Sequence, residues 1–74
     1  ILVIPRKPIE SLNTIQEEDE GLLGHLLLVA KKIAHQNDLK DWRAVINTGA
    51  EAGQTVFHLH VHLMGGRLLT WPPG

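Results

Sequence analysis

Three imidazoles occupy alternate positions in His58-Leu59-His60-Val61-His62, inside a run that otherwise reads Thr55-Val56-Phe57 and Leu63-Met64. Imidazole is the side chain that can act as proton donor, acceptor, nucleophile or metal ligand near neutral pH. Three readings compete for such a row: covalent or acid–base chemistry on a phosphate ester or amide, a metal site, and a histidine-rich exposed face. Side chains alternate across a β-strand, so a period of two puts the three rings on one side of a sheet. Phe57, Leu59, Val61 and Leu63 then fall on the other side, facing a core. On a helix the same spacing scatters the rings over roughly 200° and leaves no flat apolar face. The segment therefore reads as a strand over 55–64. Rings confined to one phase of an apolar strand argue against a bland exposed face. His-x-His on a strand is a zinc-ligand spacing. Yet three in line hold the outer two about 13 Å apart at the backbone, which is poor tetrahedral geometry. Cysteine is absent and no carboxylate lies within the strand.

The residues just upstream, Asn47-Thr48-Gly49-Ala50-Glu51-Ala52-Gly53-Gln54-Thr55, form a turn-rich connection between two strand-like runs. Gly49 and Gly53 supply backbone freedom suited to a hairpin. Gly53, Gln54 and Thr55 end where the histidine run begins. Their N–H groups, amide and hydroxyl are candidates to face the phosphate that a histidine attacks, and an ordinary hairpin loop fits these residues equally well.

Gly53-Gln54-Thr55-Val56-Phe57-His58-Leu59-His60-Val61-His62-Leu63, followed by Gly65-Gly66-Arg67 and Trp71-Pro72-Pro73-Gly74, resembles the histidine-triad superfamily. Within it the chain is most similar to the Hint branch of nucleotide-binding phosphoramidases. The triad pattern is His-x-His-x-His followed by two apolar residues, here Leu63 and Met64. The ending Gly-Gly-Arg-x-x-x-Trp-Pro-Pro-Gly separates that branch from dinucleoside-polyphosphate hydrolases and hexose uridylyltransferases. Leu2-Val3-Ile4-Pro5-Arg6-Lys7 and Leu22-Leu23-Gly24-His25-Leu26 also look like Hint segments, so the resemblance spans essentially the whole chain.

The resemblance implies an α+β, HIT-like fold: an antiparallel meander sheet with a long helix packed on it. It implies a metal-independent hydrolase, without cofactor, that cleaves the P–N bond of purine nucleoside phosphoramidates through a nucleotidylated histidine. A nucleotide-binding adaptor with weak catalysis, or a zinc-binding protein, are the alternatives. Within the triad of His58, His60 and His62, His60 would attack the α-phosphorus while its other ring nitrogen donates to a fixed acceptor, for which the His58 carbonyl is at hand. His62 would ligate a phosphate oxygen. Thr55, where relatives usually carry Ser, would hydrogen-bond the leaving group. Backbone donors around Gly53, Gln54 and Thr55, with Asn47, would hold the phosphate and the neighbouring ribose. Hint proteins pair through the helix and sheet edges, which implies a homodimer with Trp71 reaching the site of the partner subunit. The ligand implied is a purine nucleoside monophosphate or phosphoramidate. The resemblance also makes residues 1–74 the C-terminal part of a single HIT domain. The first site histidine, the ribose-binding acidic residue and the base-pocket wall would lie before Ile1, where the chain opens on a strand with no lead-in turn.

The positioning elements can be read in outline. Ile1 to Pro5 suggests a buried strand, closed by Pro5 and again by Pro8. Thr14-Ile15-Gln16-Glu17 has a capping-box pattern, and Glu17, Glu18, Asp19 and Glu20 put negative charge at the positive end of a helix over about 16–36. Leu22, Leu23, Leu26, Leu27, Val29, Ala30, Ile33 and Ala34 fill an arc of roughly 160°, wider than one sheet-facing stripe requires, and Leu28 stands apart. His25 and His35 fall on the polar side as surface residues. Asn37-Asp38 marks the helix exit. Residues 42–47 should form a strand pairing with 55–64 as a hairpin, with Asn47 near the start of the histidine run. Gly65-Gly66 breaks that strand and an apolar tail follows.

A chain of 74 residues, 43% of them hydrophobic, makes one small domain at most. A net charge of −1 gives no electrostatic case for nonspecific nucleic-acid or membrane-surface binding. The longest apolar run, Leu26 to Ala30, is far short of a membrane span, and no signal-like N-terminus is visible. The expectation is a soluble protein of a reducing compartment: cytoplasmic, nuclear or organellar.

Overall fold

The computed structural model describes residues 1–73; Gly74, the last residue of the tail motif, lies outside the described residues. The histidine run feeds strand β3 (Val61–Gly65), the middle strand of a three-stranded antiparallel sheet. On one side lies β1 (Leu2–Val3), with Leu2 opposite His62 and Val3 opposite Val61. On the other lies β2 (Trp42–Val45), pairing Trp42 with Gly65, Arg43 with Met64, Ala44 with Leu63 and Val45 with His62. The hairpin and the α+β class are as expected, and the order β1-β3-β2 puts the histidine-bearing strand at the centre.

Alternation does what the period of two required from residue 58 to residue 63. Leu59, Val61 and Leu63 are buried, whereas His58, His60 and His62 are half-buried. Several expectations need correction. The strand begins at Val61 rather than Thr55, because both neighbours stop short. Pro5 and Pro8 have no N–H to give a ladder, and beyond Val3 the first segment returns only one backbone bond, from Leu59 N–H to the Ile9 carbonyl (2.7 Å). Phe57, expected in the core, lies in a bend at 56–58 and is exposed. The opening strand is likewise half-covered: Val3 and Pro5 are buried, but Ile1, Leu2 and Ile4 are exposed.

Helix α1 (Glu20–Gln36) covers one face of the sheet. Leu26, Ala30 and Ala34, spaced four apart, form its buried seam, and the two alanines are fully buried. Their small side chains let the helix axis approach β3 closely. Val3, Ile9, Leu26, Ala30, Leu59 and Val61 make the core, with Leu22, Leu23, Val29, Ile33, Trp42 and Ile46 packed around it. Leu27 and Leu28 remain exposed on the outer face, as do His25 and His35.

The helix starts at Glu20, not near Gln16. The Thr14 hydroxyl is taken by a separate 3-10 turn, Leu12–Thr14, where it donates to the Ser11 carbonyl (3.1 Å) and accepts the Ser11 N–H. Residues Glu17–Asp19 form a second such turn, in which Asp19 accepts the Gln16 N–H at 2.9 Å. Asp19 is also buried and ion-paired with Lys7, a contact that sequence patterning had folded into general helix-start charge. The exit is a Schellman motif: Asp38 takes a left-handed conformation (φ 57°), its N–H donates to His35 O, and Leu39 N–H donates to Ala34 O at 2.9 Å.

Candidate active site

The face of the sheet opposite α1 carries the three histidines. Cross-strand partners share a face, so Leu2, Val45, Arg43 and Met64 lie on it too. The rings of His60 and His62 meet edge to face, with centroids 4.9 Å apart and planes at 70°.

Each of the first two rings is tied to a backbone carbonyl. His58 Nε2 lies 3.1 Å from Pro5 O, and His60 Nδ1 lies 2.7 Å from His58 O. A carbonyl only accepts, so in both pairs the ring nitrogen must carry the proton. Neutral His60 is therefore the Nδ1–H tautomer, and its Nε2 keeps a free lone pair. The acceptor expected for His60 is the one found. Fixing one nitrogen in this way aims the other, as a nucleophilic imidazole requires. Among the described residues no group of three or more His, Cys, Asp or Glu side chains is arranged to hold a metal ion.

The loop before the histidines is shaped by a 3-10 turn at Ala50–Ala52 that ends on Gly53 with φ 102°, a conformation that disfavours any side chain. Asn47 packs there, with its amide 3.5 Å from where a Gly53 Cβ would stand. Asn47 follows the end of β2 by two residues, just beyond the pair of Val45 with His62. Two expected phosphate donors are otherwise engaged: Gly53 N–H donates to Ala50 O (3.0 Å) and Gln54 N–H to Gly49 O (3.1 Å). The Gln54 amide is also spent. It is buried, donates to Glu10 O (2.8 Å) and Val56 O (3.2 Å), and accepts Gly49 N–H (2.9 Å). Gln54 is thus a strut joining the loop to the first segment, and the Gly53 and Gln54 N–H groups are hydrogen-bonded within the loop itself. Thr55 is exposed.

Trp71 is largely exposed and stands by Arg43 of its own chain, whose guanidinium carbon lies 6.0 Å from the ring centroid. Motif spacing does not mark Arg43. Its signal was there in the hairpin register, which puts residue 43 on the same face as His62.

A family model, "HIT domain", matches residues 1–69. The chain belongs to the HIT domain family. It is 56% identical over its whole length to a HIT-like protein of Synechocystis sp. and 59% identical to one of Synechococcus elongatus. It spans 66% of the length of each. Among solved structures it resembles a HIT family hydrolase from Legionella pneumophila, with a TM-score of 0.94 at 44% identity over 99% of this chain and 67% of that one. A histidine triad protein from Clostridium difficile matches with a TM-score of 0.88 at 34% identity, over 93% of this chain and 62% of that one. The HIT fold is therefore shared along nearly all of the described residues. No helix among them is long and apolar enough to cross a membrane.

Proposed function

We propose that this chain is the C-terminal part of a single HIT domain in a hydrolase that cleaves the P–N bond of purine nucleoside phosphoramidates. The observation that carries this reading is the His60 ring: Nδ1 committed to His58 O at 2.7 Å, Nε2 free, and the His62 ring beside it. Nε2 attacks the α-phosphorus and the bond to the amine nitrogen breaks. The amine leaves as it takes a proton from solvent, with the Thr55 hydroxyl hydrogen-bonded to it, and the attacking water later returns a proton to solvent. Water then attacks the phosphorus of the nucleotidyl-histidine, releasing the nucleoside monophosphate and restoring neutral His60. His62 supports the negative charge that develops on the phosphate oxygens. Asn47 faces the ribose. Relatedness to HIT family hydrolases supports the hydrolytic class, and the purine phosphoramidate assignment rests on the Gly65-Gly66-Arg67 and Trp71-Pro72-Pro73-Gly74 motifs.

The working unit in this reading is a cytoplasmic homodimer that pairs across α1 and presents Trp71 toward the partner's site. The exposed Leu27 and Leu28 on the helix supply the apolar surface such pairing needs, and the lack of cysteine fits a reducing compartment.

The test is to mix the full-length protein with adenosine phosphoramidate, quench in base and map adducts by mass spectrometry. The expected result is an adenylyl group on His60. Turnover with the adduct elsewhere, or with none, overturns the covalent route; nucleotide binding without turnover makes the protein an adaptor.

A further inference from the structure

The C-terminal tail has few ties to the body of the fold. Leu68 and Trp71 are 88% and 80% exposed, and Arg67 spends its guanidinium on the carbonyl of the adjacent Leu68 (3.0 Å). The one polar link from the tail to the sheet among the described residues is Arg43, whose Nη2–H donates to the Thr70 carbonyl at 3.0 Å. The same guanidinium lies within cation–π range of the Trp71 ring, at 6.0 Å from its centroid. Arg43 sits opposite Met64, one same-face step along β2 from Val45 and hence from His62.

We propose that Arg43 is a positioning residue for the tail: its guanidinium holds Thr70 and Trp71 beside β2, from where the tail reaches the partner subunit's site, and so sets which leaving groups that site accepts. An Arg can do this where another cation cannot. Its planar fork donates to a carbonyl with one nitrogen while its face stays available to an indole, whereas a lysine ammonium is a point charge that serves one partner at a time. The specificity half rests on the proposed phosphoramidase reading with Trp71 on the leaving-group side; the holding of the tail does not.

Two measurements on the full-length protein separate these. With 5-fluorotryptophan incorporated, the Trp71 fluorine resonance, assigned through Trp71→Phe, should shift in Arg43→Ala. In parallel, the ratio of kcat/KM for a bulky aromatic amine to that for ammonia as leaving group should change by about tenfold in Arg43→Ala, mostly through KM. Trp71→Ala should change it in the same direction, the double variant no further than either alone, and Arg43→Lys should restore part of the preference. An unmoved Trp71 resonance in Arg43→Ala overturns the proposal, as does a preference that changes with Trp71→Ala but not with Arg43→Ala. If Trp71→Ala itself leaves the preference unchanged, the leaving-group reading of the tail fails, while the resonance still decides whether Arg43 holds it.

Discussion

The Nδ1 of His60 lies 2.7 Å from the carbonyl oxygen of His58, two residues earlier in the same chain. Each residue of the pair constrains the other's chemistry. The His58 carbonyl accepts and cannot donate, so it selects one tautomer of the neutral His60 ring and leaves Nε2 basic. His58 is in turn held through its own Nε2–H by Pro5 O, so the orientation of the His60 ring is traceable to the backbone of the first segment.

Replacing His60 with Asn should lower phosphoramidase turnover at least about 10³-fold, because His58 is tied through its Nε2 and of these two rings only His60 has Nδ1 committed and Nε2 free. Affinity for adenosine monophosphate should stay within about tenfold, as expected where the bond His60 makes to phosphorus forms only in the transition state. Steady-state kinetics and calorimetric titration of the full-length variant check both. Treatment with a chelator should leave wild-type turnover unchanged; inhibition that zinc reverses would restore the metal reading.

Gln54→Ala should cost about 2–3 kcal/mol of folding stability, measured by urea unfolding. Its amide joins Gly49 N–H, Glu10 O and Val56 O in a buried position, and deletion leaves those groups without their partner. A loss below about 0.5 kcal/mol would show that the loop does not depend on this strut.

The Lys7–Asp19 pair predicts a pH dependence with a definite sign. The hydrogen bond from Lys7, then that from Gln16 N–H, holds the Asp19 carboxyl below its ordinary value of 3.8. Its contribution to stability is therefore fully present above that value and is lost as pH falls through the lowered one. The hydrogen bond to Asp19 holds the Lys7 ammonium above its ordinary 10.5. That contribution is present below 10.5 and is lost as pH rises through the raised value. Urea midpoints compared between neutral pH and pH about 3 should fall more for wild type than for Asp19→Asn, which has no carboxyl to protonate; parallel curves would remove Asp19 from the acid limb.

Local alternation and helical spacing carried much of this protein into view from the sequence alone. Leu59, Val61 and Leu63 had to turn one way and the histidines the other, and a wide apolar arc of the helix had to face a sheet, within which the structure buries Leu26, Ala30 and Ala34. These are periodicities of the backbone itself and need no knowledge of neighbours. The His58 carbonyl as the acceptor for His60 was legible for the same reason, being only two residues away. Other features depend on partners far along the chain. The strand shrinks to Val61–Gly65 because prolines at 5 and 8 withhold a ladder, and Phe57 is left outside the core. Gln54 reaches Glu10 across 44 residues, Asp19 meets Lys7 across 12, and Arg43 meets Thr70 across 27. Glutamine, aspartate and arginine side chains read as polar and solvent-facing until folding presents a buried carbonyl or an opposite charge. Which of these polar groups are spent on the frame was decided by tertiary structure, because their partners lie far along the chain and are brought to them only by folding.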